Sequence, residues 1–125
     1  MTERTTAIER IASPLPVPFS KAVRAGGFVF LSGVLAMDAQ ANIIEGGIQP
    51  QTKAVLERIA QTLAECGLSL RDVVRATIWL ADLEDFAAFN EEYAKHFAGD
   101  LPARSTVQAK LYKGARVEIE VQALA

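Results

Sequence analysis

The strict two-residue alternation near the C-terminus constrains this chain more than any other feature. From Arg116 to Leu124 the aliphatic residues Val117, Ile119, Val121 and Ala123 alternate with Arg116, Glu118, Glu120 and Gln122. Successive side chains of a strand point to opposite faces, so the segment reads as a strand with one aliphatic and one charged face. Ser105 to Leu111 repeats the pattern, with Val107, Ala109 and Leu111 facing one way and Arg104, Thr106, Gln108 and Lys110 the other. Tyr112-Lys113-Gly114-Ala115 joins the two strands. A sheet made of such strands can be covered by helices on one face only.

Upstream, Val73 to Leu80 is rich in β-branched and large apolar residues. It predicts a strand with Val74, Ala76, Ile78 and Leu80 on one face and Arg75, Thr77 and Trp79 on the other. From Thr52 to Cys66, Val55, Leu56, Ile59, Ala60 and Leu63 share one face of an amphipathic helix that Gly67 stops. A second helix begins near Asp82 as N-cap and ends before Gly99. It spaces Phe86, Phe89, Tyr93 and Phe97 by three and four residues, a stripe that reads as core rather than binding surface. Ser20 to Arg24 and Phe28 to Ser32 are β-prone runs joined at Ala25-Gly26-Gly27, as a tight hairpin requires. The alternate prolines of Ser13 to Pro18 give an extended lead-in, and Asp38 to Gly47 reads as a loop around Ile43-Ile44. The order is strand, strand, helix, strand, helix, strand, strand. It describes a single α+β domain over residues 1–125, with both helices on one side of the sheet.

Composition narrows the functional classes. At 125 residues, 50% of them hydrophobic, the chain suits one compact core. A net charge of -2, with both signs mixed along the sequence, offers no footprint for a nucleic-acid backbone or an anionic membrane. Cys66 is the only cysteine and His96 the only histidine, so a cysteine-built metal cage, an intrachain disulfide and a histidine cluster are excluded. His96 lacks a triad partner and reads as structural or solvated; Cys66, before Gly67, reads as a small buried hydrophobe. Met1 to Ser13 lacks the apolar core of a signal peptide, and no later run approaches a membrane span, so a cytoplasmic protein is expected.

Two residue types remain for chemistry. Arg104, in Leu101-Pro102-Ala103-Arg104-Ser105-Thr106, offers a guanidinium fork that matches a carboxylate. Glu118, in Val117-Glu118-Ile119-Glu120, offers a carboxylate able to position or deprotonate water. The competing reading places both on a solvated or interfacial sheet face. If the last two strands form a hairpin, Arg104 lies opposite Gln122 or Leu124, four or six residues from Glu118. At roughly 3.3 Å per residue that is about 13 to 20 Å, beyond one arginine side chain. Either the two residues are unrelated, or they meet a common ligand across a subunit boundary.

Several segments together resemble the reactive-intermediate deaminase (RidA/YjgF) family, also called endoribonuclease L-PSP or translation-inhibitor proteins. They are Pro18-Phe19-Ser20-Lys21-Ala22-Val23, Phe30-Leu31-Ser32-Gly33, Gln51-Thr52 and Asp72-Val73-Val74, followed by Asp82-Leu83-Glu84-Asp85-Phe86 and Asn90-Glu91-Glu92-Tyr93. The last two are Pro102-Ala103-Arg104-Ser105-Thr106 and Val117-Glu118-Ile119-Glu120. The resemblance implies a chorismate-mutase-like α+β fold in which three subunits pack their sheets into a barrel with ligand clefts between them. It also implies that Arg104 grips a substrate carboxylate, that Glu118 positions the hydrolytic water, and that Ser32 and Gly33 line the same cleft. The implied substrates are imines or enamines such as 2-aminoacrylate, hydrolysed to a 2-oxo acid and ammonium without metal or organic cofactor. Phe19 stands where the family usually has tyrosine, and Thr106 where it often has cysteine. At those two substrate-binding positions a phenol hydroxyl is lost and a thiol becomes a β-branched alcohol, so cleft shape and polarity differ. The alternatives are a non-catalytic trimer that binds 2-oxo acids or related metabolites and, ranked last against the acidic charge balance, a ribonuclease or translation inhibitor.

Overall fold

The computed structural model describes residues 7–125; the part of the N-terminal reading that concerns residues 1–6 lies outside them. Seven strands, β1 (Glu9–Ala12), β2 (Ser20–Ala25), β3 (Phe28–Leu31), β4 (Val34–Leu35), β5 (Val73–Leu80), β6 (Ala103–Gln108) and β7 (Val117–Leu124), form one sheet. Its order is β1-β2-β3-β7-β5-β6, with β4 also paired to β7. Only β5 and β6 are parallel, so the sheet is mixed. Helices α1 (Ile48–Glu65) and α2 (Phe86–Phe97) share one core with it. The expected α+β layer with two helices packed on a mixed sheet is the observed architecture.

Alternation explains the core. Val117, Ile119, Val121 and Ala123 of β7 are buried, as are Ala76, Ile78 and Leu80 of β5 and Val29 and Leu31 of β3. Val55, Leu56, Ile59 and Leu63 of α1, with Phe89, Tyr93 and Phe97 of α2, close over them. The opposite face mixes Glu118, Glu120, Gln122 and Leu124 with Trp79 and Thr77 of β5 and Phe28 and Phe30 of β3. Hairpin β2-β3 turns where expected: Ala25 pairs with Phe28, and Gly26 and Gly27 take φ of 58° and 82°, a conformation that matches the twist of the strands.

Four boundaries differ from the sequence reading for local reasons. Helix α1 starts at Ile48, four residues before Thr52, because Pro50 falls in the first turn, where backbone N–H groups have no helical acceptor. A 3-10 turn, Leu83–Asp85, precedes α2, and Asp82 Oδ1 accepts from Glu84 N at 2.9 Å. In β5 the register slips between Val73 and Arg75, so Val73 is buried and Val74 exposed, the reverse of the simple alternation. Strand β1, which the sequence reading left unassigned, is a short charged edge strand paired to β2, with Glu9 and Arg24 3.6 Å apart.

The main correction concerns the last two strands, which do not form a hairpin. β5 lies between them, parallel to β6 and antiparallel to β7. The connection passes over the end of β5, held by Ala109 N to Leu80 O and Ala81 N to Arg116 O, both 3.0 Å. Strand β6 ends at Gln108 rather than Leu111, and Tyr112–Gly114 is a 3-10 turn. Its faces are also inverted. Arg104 and Thr106 pair with the buried Ala76 and Ile78 and so lie on the helix side, while Val107 is 43% exposed on the other. Paired neighbours share a face, so the register with β5 overrides the apolar-inward rule at this edge.

Gln51 ties the loop before α1 to the start of β7. It is 4% exposed, its Nε2 donates to Ile44 O at 3.1 Å and its Oε1 accepts from Arg116 N at 2.9 Å. Gln51→Leu keeps the volume and strands both backbone groups. It is expected to lower unfolding free energy by about 2 kcal/mol, read as a lower urea midpoint at unchanged slope.

Candidate functional site

Four of the six residues singled out in the sequence come together. A cavity of ≈ 600 Å³ is lined by Phe19, Ser32, Gly33 and Glu118, with walls from the proline-rich lead-in and from α1. The chain bulges at Ser32-Gly33: between the pairs Phe30↔Gln122 and Val34↔Ile119, one side advances four residues and β7 three. Ser32 Oγ donates to Ser20 O at 2.6 Å and clamps the bulge to β2. Gly33 is required for space rather than for backbone freedom. A Cβ there would lie 2.1 Å from Glu118 Oε2.

Glu118 projects from the open face of β7, opposite Trp79 and Leu35. Burial pushes its carboxyl above the usual carboxylate range, and the like charge of Glu120 pushes the same way. No ion pair to Glu118 exists among the described residues. Phe19, 55% exposed, contributes its ring to the cavity. Sequence reasoning missed Arg58 and Lys113, which bring positive charge to the same walls. Arg58 donates to Leu35 O and burial lowers its pKa; Lys113 donates to Ala41 O at 3.2 Å. Arg58 falls on the polar side of an amphipathic helix, and no motif marks it.

Arg104 and Thr106 lie elsewhere, on the opposite face of the sheet and with β5 between them and β7. The Arg104 guanidinium sits over the rings of Phe86, Phe89 and Tyr93, at 5.5, 5.3 and 4.9 Å from their centroids. Burial pushes the Tyr93 hydroxyl up to about 12, against the opposing pull of Arg104, and that hydroxyl has no hydrogen-bond partner. The α2 stripe is core at Phe89, Tyr93 and Phe97, as the sequence reading has it, but Phe86 is 43% exposed. Within one chain Arg104 and Glu118 cannot meet, because their side chains leave opposite faces of the sheet. The sequence reading also excluded a direct pair, but through a hairpin distance that does not exist.

His96 and Cys66 have structural surroundings. His96 Nε2 lies 2.7 Å from Glu92 Oε2, and that hydrogen bond holds the Glu92 carboxyl below its ordinary value. Cys66 is buried, which pushes its thiol up and leaves it protonated at neutral pH.

Known proteins were compared with this chain. A family model described as Endoribonuclease L-PSP matches residues 10–125. A RutC family protein of Pyrococcus abyssi is 41% identical over 111 residues, covering 86% of this chain and 87% of that protein. The 2-iminobutanoate/2-iminopropanoate deaminase of goat (Capra hircus) is 40% identical over 109 residues, covering 86% and 80%. Among solved structures, a Rid family protein of Yersinia pestis superposes with a TM-score of 0.89 at 33% identity, covering 95% of this chain and 100% of that one. No helix among the described residues is long and apolar enough to cross a membrane.

Two measurements check the site. The Glu118 carboxyl carbon, followed by NMR, is expected to titrate above the usual carboxylate range, and Glu120→Gln is expected to lower its pKa by removing the like charge. A carboxyl whose pKa is raised on folding opposes folding once ionised. Stability is therefore highest below the unfolded-state value and declines as pH rises through the folded one. Glu118→Gln accordingly raises Tm at pH 7 relative to the wild type, and the difference closes in acid. Gly33→Ala is expected to displace the Glu118 carboxylate, a flexible group, and to shift its NMR titration while Tm changes by less than about 4 °C, the equivalent of about 1 kcal/mol.

Proposed function

Because the chain belongs to the reactive-intermediate deaminase (RidA/YjgF) family, we propose that it hydrolyses reactive 2-imino and 2-enamino acids, such as 2-aminoacrylate, to 2-oxo acids and ammonium. It acts as a cytoplasmic homotrimer without metal or organic cofactor. The observation that carries this reading is the pair of charges that lack ion-pair partners among the described residues: Glu118 in its cavity on one face and Arg104 on the other. Each can therefore take an external counterpart. A small 2-imino acid offers a carboxylate for the arginine and an electrophilic carbon for a water held by the glutamate. A neighbouring subunit that brings its Arg104 to this chain's Glu118 completes the cleft, and a closed ring repeats the arrangement identically. The interleaved charged and apolar residues of the open sheet face support the same assembly, since buried polar groups need partners.

The chemistry follows from the groups. Arg104 fixes the substrate carboxylate through paired, charge-assisted hydrogen bonds and so orients the imine carbon. Glu118 takes a proton from water as its oxygen bonds to that carbon. The imine enters protonated from solvent as the iminium, so its C=N π electrons settle on nitrogen as the water oxygen adds, and the proton held by Glu118 then passes to that amine to give a leaving NH3⁺ group. Ammonia then leaves with the C–N bond electrons, the C=O closes, and the hydroxyl proton goes to solvent to give ammonium. Ser32 and Gly33 border the reacting atoms, and Leu15, Val17, Leu31 and Met37 give the cavity an apolar wall for the side chain. Phe19 and Thr106 complete the proposed substrate contacts.

A second reading, a trimer that binds 2-oxo acids or related metabolites without turnover, draws on Phe19, whose ring lines the cavity with no hydroxyl to share. The separating experiment supplies a 2-imino acid made in place by an amino-acid oxidase and follows 2-oxo acid release. Acceleration supports hydrolysis, whereas binding without acceleration supports the second reading.

Glu118→Gln is expected to keep pyruvate affinity within about threefold and to slow release about 100-fold or more, since the amide cannot take the proton. Arg104→Lys keeps the charge and loses the fork, and is expected to weaken substrate use about tenfold; Arg104→Ala nearly abolishes it. Light scattering is expected to give three chain masses for the wild type and all three variants. Near wild-type activity of Arg104→Ala would sink the mechanism, and a monomeric wild type would sink the shared cleft.

A further inference from the structure

We propose that the aromatic stripe of α2, with Phe86 at its exposed end, is a platform that positions the Arg104 guanidinium for an incoming carboxylate. This rests on the reading of Arg104 as the carboxylate holder. Phe86, Phe89 and Tyr93 recur at three and four residues and so line one side of the helix. The guanidinium carbon lies within 5.5 Å of all three ring centroids, inside the range of roughly 6 Å over which a ring face attracts a cation. A guanidinium is flat, with weakly hydrated faces and five N–H donors around its edge. Three rings lie against this one guanidinium, and no ion pair among the described residues takes up its N–H donors. Asp85, one residue before Phe86, does not compete for that edge, because it is committed to Arg116 at 3.1 Å. Arg75 shows the opposite arrangement on the other face of the sheet, its Nη2 donating to Ser105 Oγ at 2.7 Å. Arg104 is thus held against the rings, and no carboxylate among the described residues occupies its fork.

The three rings divide the work by burial. Phe89 is 0% exposed and Tyr93 4%, so they belong to the core, and replacing either perturbs the fold. Phe86 is 43% exposed and can be changed without opening a cavity in the core. It is a positioning residue, acting on substrate only through Arg104, and the contact is made by the face of its ring. Shape alone, as leucine supplies, does not replace it; another ring does.

The test uses the full-length chain, with the 2-imino acid released from L-leucine by an amino-acid oxidase as substrate and pyruvate as the binding probe. Phe86→Leu is expected to raise KM about fivefold, the size of one partly exposed cation–ring contact. It should leave kcat and Tm near wild type. Phe86→Trp and Phe86→Tyr are expected to restore KM. In the Arg104→Ala background, where NMR titration reads weak pyruvate binding, Phe86→Leu is expected to change affinity by less than about twofold, since the contact through which it acts is gone. A wild-type KM in Phe86→Leu, an equal loss in the leucine and tryptophan variants, or the same loss without Arg104 each overturns the platform. Full activity in Arg104→Ala overturns the reading beneath it as well, so failure of the platform alone is recognised by an inactive Arg104→Ala beside an unaffected Phe86→Leu.

Discussion

The two-sided strand β7, flanked by β5 on one side and by β3 and β4 on the other, is the constraint on which the rest of the structure depends. Its odd-numbered residues from Val117 to Ala123 are buried beneath α1 and α2, and no register can bury them without presenting Glu118, Glu120 and Gln122 on the other face. Hydrophobic burial on one side therefore fixes where the charges go on the other. The bulge at Ser32-Gly33 then closes over Glu118. It leaves room for the carboxylate only because residue 33 has no side chain. The result is an anionic group partly removed from water, pressed by a like-charged neighbour and without an ion-pair partner among the described residues, the environment in which a carboxylate gains basicity.

The crossover through α2 has the second consequence. By returning parallel to β5, strand β6 places Arg104 on the helix side of the sheet at its edge, where the aromatic stripe of α2 lies against the guanidinium. An arginine at an edge strand is ordinarily a solvated residue. Here three rings lie within 5.5 Å of its guanidinium carbon, and no ion pair among the described residues takes up its donors. The two polar groups with the clearest chemical use are thus assigned to opposite sides of one sheet by backbone pairing alone. The same partition that forbids a pair within one chain suits a site shared between chains.

Much of this was legible from the residues. Alternation in 116–124, the amphipathic pattern of 52–66, the glycine pair at Gly26-Gly27 and the aromatic spacing of α2 each report a local period or turn. Local periods survive into the fold because every turn or pleat must bury the same face. Glu118 was singled out by its carboxylate chemistry and Phe19, Ser32 and Gly33 through family resemblance, and their meeting in one cavity depends on a bulge that no local pattern announces.

The sequence by itself determined the number and kind of the main elements, which side of each is apolar, and which two charged residues lacked an obvious structural use. Tertiary structure alone decided strand order, and with it the insertion of β5 between β6 and β7, the inverted faces of β6 and the slip at Val73–Arg75. The physical reason is that periodicity is a property of one segment, whereas pairing is a competition among segments. Two alternating strands joined by a short connection can form a hairpin, but β5, apolar over most of its length, gains more by taking a neighbour on each side than by remaining at an edge. Once it does, the face of Arg104 follows from its register with Ala76, whatever the alternation of β6 would have chosen.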